Sequence, residues 1–276
     1  MCYNENIWQY YSKMPFVFNW VVIKMTRNKW NEKHAEKKLI AFLKSSSSKT
    51  TKELTPYLTI PNEKPIPETI RTRIHILKKK GVLTNIGRGL YTLKTKPDYS
   101  PKISVELKDL YSKLQKRFPY TKLCIWELNW LNEFSIHQVT RKIIVVESEK
   151  ETERAIFDAL IEENGSRMPV IFKPSGKDVE LYISSYQSSI VVKKLISESP
   201  IQKTQGVVIP KLEKLLVDLF VGDPIFLPYK GAESTEIFHN TFDSYTINLS
   251  TLKRYAKRRN HAERLDKYLK KEKIIR

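Results

Sequence analysis

One stretch constrains the fold of this chain more than any other: Pro65 to Leu93, PIPETIRTRIHILKKKGVLTNIGRGLYTL. Ile70, Ile74 and Leu77 recur at i, i+4 and i+7, which places them on one face of an α-helix. Pro67 suits the first turn, where its fixed φ fits and its missing N–H would be unsatisfied anyway, and Gly81 suits the stop. Val82 to Thr84 and Leu90 to Leu93 read as strands, with Gly87-Arg88-Gly89 turning between them. At about 100° per residue, Glu68, Thr72, His75 and Lys79 point away from the apolar stripe, with Arg71 and Lys78 flanking. Arg73 falls nearer the border of that stripe and reads as a packing or backbone contact.

The outer face is basic and polar, which is what a groove-reading helix needs. Arginine can reach guanine edges with two parallel hydrogen bonds, and lysine neutralises phosphate. The reading puts Arg71, Thr72, His75 and Lys79 nearest base edges, with Lys78, Lys80 and Arg88 on phosphates. A lysine run at a helix C-terminus also complements the helix dipole, so Lys78-Lys79-Lys80 alone has a second explanation. The hairpin and the charge distribution tip the balance.

Upstream, Trp30 to Leu43 carries Ala35, Leu39, Phe42 and Leu43 at helical spacing, and Ser45 to Ser48 breaks it. Thr50 and Glu53 form a capping box that opens a second helix burying Leu54 and Leu58, ended by Pro61. Helix, helix, helix, hairpin is the order of a winged helix-turn-helix. The connection from Thr59 to Ile66 is longer than the usual turn of about 3–4 residues, which leaves the register of the second helix open.

The 276 residues carry a net charge of +19, which points to a polyanionic partner. The charge is uneven: residues 1–100 hold 19 Lys/Arg against 7 Asp/Glu, residues 101–248 hold 19 against 20, and residues 249–276 hold 11 against 3. Cys2 and Cys124 are too few for a disulfide framework or a metal cluster, and a cytosolic, reduced chain is expected. Cys124 lies in the apolar run KLCIWEL and reads as an inert buried thiol. No apolar run approaches the ~20 residues of a membrane span. Residues 1–25 read as an extension with Met25 the natural start, or else as a strand packed on the first domain.

The expected division is therefore an extension over 1–25, a winged helix-turn-helix over 26–93, a Pro-rich linker over 94–101 and an α/β domain over 102–276, an α+β chain overall. In the second domain Val105 to Phe118 is helical, and so are Glu149 to Ile161 and Lys211 to Phe220. Lys122 to Leu128, Lys142 to Val146, Pro169 to Lys173, Val179 to Ile183 and Ser189 to Lys194 are strand candidates. Lys214 and Asp218 have the spacing of a surface ion pair. His137 and His239 read as structural histidines. A basic terminal helix closes the chain, with Lys253, Arg254, Lys257, Arg258 and Arg259 as a possible second surface for nucleic acid or an acidic partner.

The GRGLY turn at Gly87 to Tyr91 resembles that of the AbiE-type antitoxins (AbiEi). So do LNEFSIHQ at Leu131 to Gln138 with the IIVVE strand after it, IPKLEKLLVDLF at Ile209 to Phe220, and INLSTLKRYAKRR at Ile247 to Arg259. The resemblance covers about residues 30 to 272 and includes that family's uncharacterised relatives. It implies a winged helix that binds inverted repeats of double-stranded DNA in the promoter of its own operon. It also implies a C-terminal domain that counteracts a nucleotidyltransferase toxin without needing a stable complex. A plain repressor stays open beside an antitoxin. An enzyme is the competing class: Asp178 and Glu180 at alternate positions of a strand could hold a metal as in a nuclease, but no lysine and acid complete the set, and no Walker loop, GxGxxG or GxSxG occurs. An RNA-binding adaptor is the third reading. No cofactor, metal or membrane partner is expected.

Overall fold

The computed structural model describes residues 32–44, 48–164, 168–181 and 185–275. The expected extension over 1–25, Cys2 and the Trp30 start of the first helix lie outside them. The chain is α+β and divides after Lys94 into two compact units.

The first unit runs α1 (Glu32–Lys44), β1 (Lys49–Thr50), α2 (Thr51–Leu58), α3 (Pro67–Lys79), β2 (Leu83–Gly87) and β3 (Leu90–Leu93). Leu39, Leu43, Leu54, Leu58, Ile70, Ile74, Leu77 and Leu83 form its core. The capping box forms as its spacing predicts: Glu53 N donates to Thr50 Oγ1 and Thr50 N donates to Glu53 Oε2 at 2.7 Å. Two details differ from expectation. The residues after the serine run form a short strand, so the sheet is three-stranded in the order β1-β3-β2, all antiparallel. The hairpin's first strand also reaches Gly87, so the turn is only Arg88-Gly89, with a register shift between Asn85 and Gly87 that accommodates the extra residue.

The second unit holds α4 (Val105–Arg117), β4 (Leu123–Glu127), a 3-10 helix (Leu128–Glu133), β5 (Lys142–Ser148), α5 (Glu153–Asn164), β6 (Val170–Phe172), α6 (Gly176–Leu181) and β7 (Ser188–Lys194). Then come the hairpin β8 (Ile201–Thr204) and β9 (Val207–Pro210), α7 (Leu212–Val221), a second 3-10 helix (Pro224–Tyr229), α8 (Ala232–Ser244), α9 (Leu249–Arg258) and α10 (Ala262–Lys271). The main sheet has the order β4-β5-β7-β6, with β4 antiparallel to β5 and the other pairs parallel. Val145, Val146, Val191 and Val192 are fully buried, as befits parallel strands covered on both faces.

The later residues of the stretch expected to be a linker over 94–101 are packed onto the second unit. Tyr99 is buried against Phe134 and Tyr245, its carbonyl accepts from Gln202 Nε2 at 3.1 Å, and Thr246 N donates to Pro97 O at 2.9 Å. The aromatic ring and the paired carbonyls tie residues from about 97 onward into the second unit. Asp178 and Glu180 do not lie on a strand either: residues 176–181 are helix α6. Ser175 N donates to Asp178 Oδ2 at 2.7 Å, a reciprocal cap that favours a helix start over the β-branched character of the run.

Candidate nucleic-acid interface

The geometry of α3 follows from its sequence period. Ile70, Ile74 and Leu77 are buried, and Arg71, Thr72, His75, Lys78, Lys79 and Lys80 are exposed. Among the described residues, no hydrogen bond or ion pair engages the side chains of Arg71, His75, Lys78 or Lys79. Thr72 Oγ1 donates to Glu68 O at 2.9 Å, so its proton is spent on its own helix and only its lone pairs remain for a ligand. Lys80 lies 3.7 Å from Glu36, within loose ion-pair range. Arg73 turns inward and donates to the carbonyl of Leu58, pinning the end of α2 against α3. Burial lowers the Arg73 pKa from the ordinary arginine value and Glu63 pulls it back, yet a guanidinium this basic stays charged at neutral pH.

Arg88 stands exposed on the two-residue turn between β2 and β3. That turn is anchored. Thr51 N donates to Gly89 O at 2.8 Å, and Gly89 has φ +68°, a conformation that costs glycine little.

The second basic surface is not one helix. Asn260 takes φ +58° and ends α9, and α10 starts after His261, so the basic run is a helix pair. Its residues have separate fates. Lys253 pairs with Asp266, which also takes Lys270 at 2.7 Å, closing the two helices on each other. Arg258 Nε donates to Ser197 Oγ at 2.7 Å while remaining exposed. Arg254 and Lys257 face solvent. Arg259 leaves the surface group: its guanidinium lies 2.5 Å from Asp218 Oδ1 and its side chain is 15 % exposed. Arg264 and Lys267 on α10, not singled out by the sequence reading, face solvent beside Lys257.

A family match sets these positions in context. DUF6577, a family of unknown function, matches residues 69–275, three quarters of the chain. The chain belongs to DUF6577. The match begins inside α3 and takes in the hairpin and nearly all of the second unit. No curated protein matches the chain.

Within this DUF6577 chain, the Lys214–Asp218 pair expected on the surface is instead fully buried. Lys214 Nζ lies 2.8 Å from Glu147 Oε1 and 2.7 Å from Asp218 Oδ2, with all three side chains 1 % exposed. Tyr255 Oη donates to Asp218 Oδ1 at 3.0 Å, and Lys193, next to Glu147 in the β5–β7 register, bridges Glu147 and Asp223. Burial opposes the Lys214 charge, but Asp218 and Glu147 outweigh it and hold the ammonium pKa well above that of an ordinary lysine. Burial likewise opposes the Asp218 carboxylate, and Lys214, Lys193 and Arg259 outweigh it and keep its pKa low.

The remaining singled-out groups carry no assembled chemistry. Cys124 is buried as expected, and burial followed by the Glu147 charge pushes its thiol pKa up, away from reactivity. His137 Nδ1 meets Glu233 Oε2 at 2.8 Å, and the same carboxylate accepts from Ile136 N and His137 N, so the pair closes a loop. His239 is partly buried on α8. Among the described residues, no group of three or more His, Cys, Asp or Glu could hold a metal, and no helix is long and apolar enough to cross a membrane.

Proposed function

We propose that this protein is a DNA-binding transcriptional regulator whose first unit is a winged helix-turn-helix. The single observation that carries the reading is the solvent face of α3, where Arg71, His75, Lys78 and Lys79 are free of partners among the described residues while Arg73 is used to hold the helix in place. In this reading α3 enters a major groove. Arg71 forks onto a guanine edge, and Thr72, His75 and Lys79 lie along neighbouring bases. Lys78, Arg88 and Lys80, released from Glu36, hold phosphates and set the register. Occupancy of the promoter of its own operon would repress transcription by occlusion. The resemblance to AbiE-type antitoxins supports a further role against a nucleotidyltransferase toxin encoded beside it.

The nuclease alternative loses its motif, because Asp178 and Glu180 stand on a short helix and Asp178 is engaged in that helix's cap. The test of the base-reading assignment is a pair of variants. Arg71→Ala should cost about 1–3 kcal/mol on the specific site and relax discrimination there, whereas Lys78→Ala should weaken specific and random duplexes about equally and flatten the salt slope by about 1. Equal losses on both duplexes for both variants would refute it.

A further inference from the structure

The corner where α9 meets α10 forms an open groove of about 590 Å³, lined by Lys257, Asn260, His261, Glu263, Arg264 and Lys267. Its cations come from both helices, Lys257 from the last turn of α9 and Arg264 and Lys267 from α10. Of the other cations on α9 and α10, Arg254 faces solvent and the rest are committed. Lys253 and Lys270 serve Asp266, Arg259 serves Asp218 and Arg258 is bonded to Ser197. Lys257 and Lys267 have no hydrogen bond or ion pair with any described residue, and Arg264 lies over the Phe220 ring with its centre 5.5 Å from the centroid. Glu263 is the one acid on the rim. Three solvated cations against one carboxylate, converging on a concavity, leave a positive site that the protein itself does not fill.

The corner is also rigid and offers neutral hydrogen-bonding groups. Arg259 on buried Asp218 fixes the end of α9, and His261 N donates to Ala256 O at 2.8 Å. His261 Nδ1 meets the carbonyl of Arg259 at 2.6 Å. A carbonyl only accepts, so that nitrogen carries a proton and Nε2 is left for a ligand.

We propose that this groove holds the backbone of a single-stranded nucleic acid, a second binding function separate from duplex recognition by α3. Asn260 and His261 stand among the three cations, so phosphates and the polar edges of unpaired bases can be met at one place, whereas in a duplex those edges are already paired. Lys257, Arg264 and Lys267 neutralise successive phosphates, and Asn260 and His261 meet sugar or base polar groups.

The experiment titrates the full chain against a fluorescent 12-nucleotide mixed-sequence RNA, the same sequence as single-stranded DNA, and its duplex, by anisotropy from 50 to 200 mM salt. The variant Lys257→Ala, Arg264→Ala, Lys267→Ala should lose at least tenfold in single-strand affinity, with a salt slope lower by about 2, since each neutralised phosphate contributes about 0.7. A charge-preserving variant, Lys257→Arg, Arg264→Lys, Lys267→Arg, should stay within twofold of the parent. Arg71→Ala should leave single-strand binding unchanged, which keeps this inference distinguishable from the duplex reading. Parental affinity in the triple alanine variant, parental protein with no single-strand binding, or an equal loss of duplex and single-strand binding would each overturn the proposal. If the triple variant loses its circular-dichroism signature, Lys257→Gln and Lys267→Gln taken singly give the same readout, with about threefold losses expected and none refuting it.

Discussion

Replacing Lys214 by methionine tests the buried charge cluster. The substitution keeps most of the side-chain volume and removes the ammonium that lies 2.7 Å from Asp218 and 2.8 Å from Glu147, all at 1 % exposure. Two carboxylates are then left in the interior with Lys193 and Arg259, which sit at the edge of the cluster, at 13 % and 15 % exposure. Breaking a buried pair from one side costs about 3–5 kcal/mol, because the stranded charge keeps its desolvation penalty. In a unit of this size each kcal/mol lowers Tm by about 2–4 °C, so a fall of about 6–20 °C is expected. Thermal unfolding followed by tryptophan fluorescence suits the site, since the Lys214 ammonium lies 5.9 Å from the Trp126 ring centroid. Adding Glu147→Gln should recover at least half of the loss, because Asp218 then keeps Arg259 and Tyr255 while Lys193 keeps Asp223. A fall below about 2 °C for Lys214→Met, or a double variant less stable than the single one, would refute the reasoning.

Gly89→Ala forces a side chain onto φ +68° and sets its Cβ 3.3 Å from Thr51 Oγ1, so the first unit should lose about 1–2 kcal/mol by thermal unfolding, and hydrogen exchange at the Thr51 amide should quicken. Burial opposes the Glu233 carboxylate, but His137 and the amides of His137 and Ile136 outweigh it and hold its pKa below the ordinary value. A depressed carboxylate stabilises the fold above its unfolded pKa, near 4.3, and loses that contribution as pH falls through the folded value. Glu233→Gln should therefore lower Tm at pH 7, and the gap from the parent should narrow and close as pH falls below the ordinary carboxylate range; a gap of constant size would contradict the assignment.

How much of this was legible depended on how local the determining contacts are. The α3 face and the Thr50–Glu53 cap follow from spacing within a dozen residues, and all four strands of the main sheet coincide with local runs rich in Val and Ile. Helix α6 was misread because a run rich in Val, Leu and Ile suggested a strand, while the Ser175–Asp178 cap in the same stretch was the better signal. The β8–β9 hairpin was missed although Gln205-Gly206, both at positive φ, separate two short runs of strand-forming residues. Lys214 and Asp218 looked superficial because their spacing is local, whereas Glu147, Lys193 and Arg259 come from distant elements. The available clue was Val217 and Val221, which stand at i+3 and i+7 from Lys214 on the face that also holds Asp218 and so mark that face as apolar rather than solvated. Asn260 signalled the break between α9 and α10, since asparagine readily adopts the left-handed cap.

The most direct measurement is a binding titration of the full chain on the duplex upstream of its own gene against a scrambled duplex, at 50 and 200 mM salt. The proposed regulator retains a preference of at least about a thousandfold for its own site while both affinities fall with salt. Equal affinity for the two duplexes, collapsing together as salt rises, would contradict it and reduce the α3 face to a generic polyanion surface.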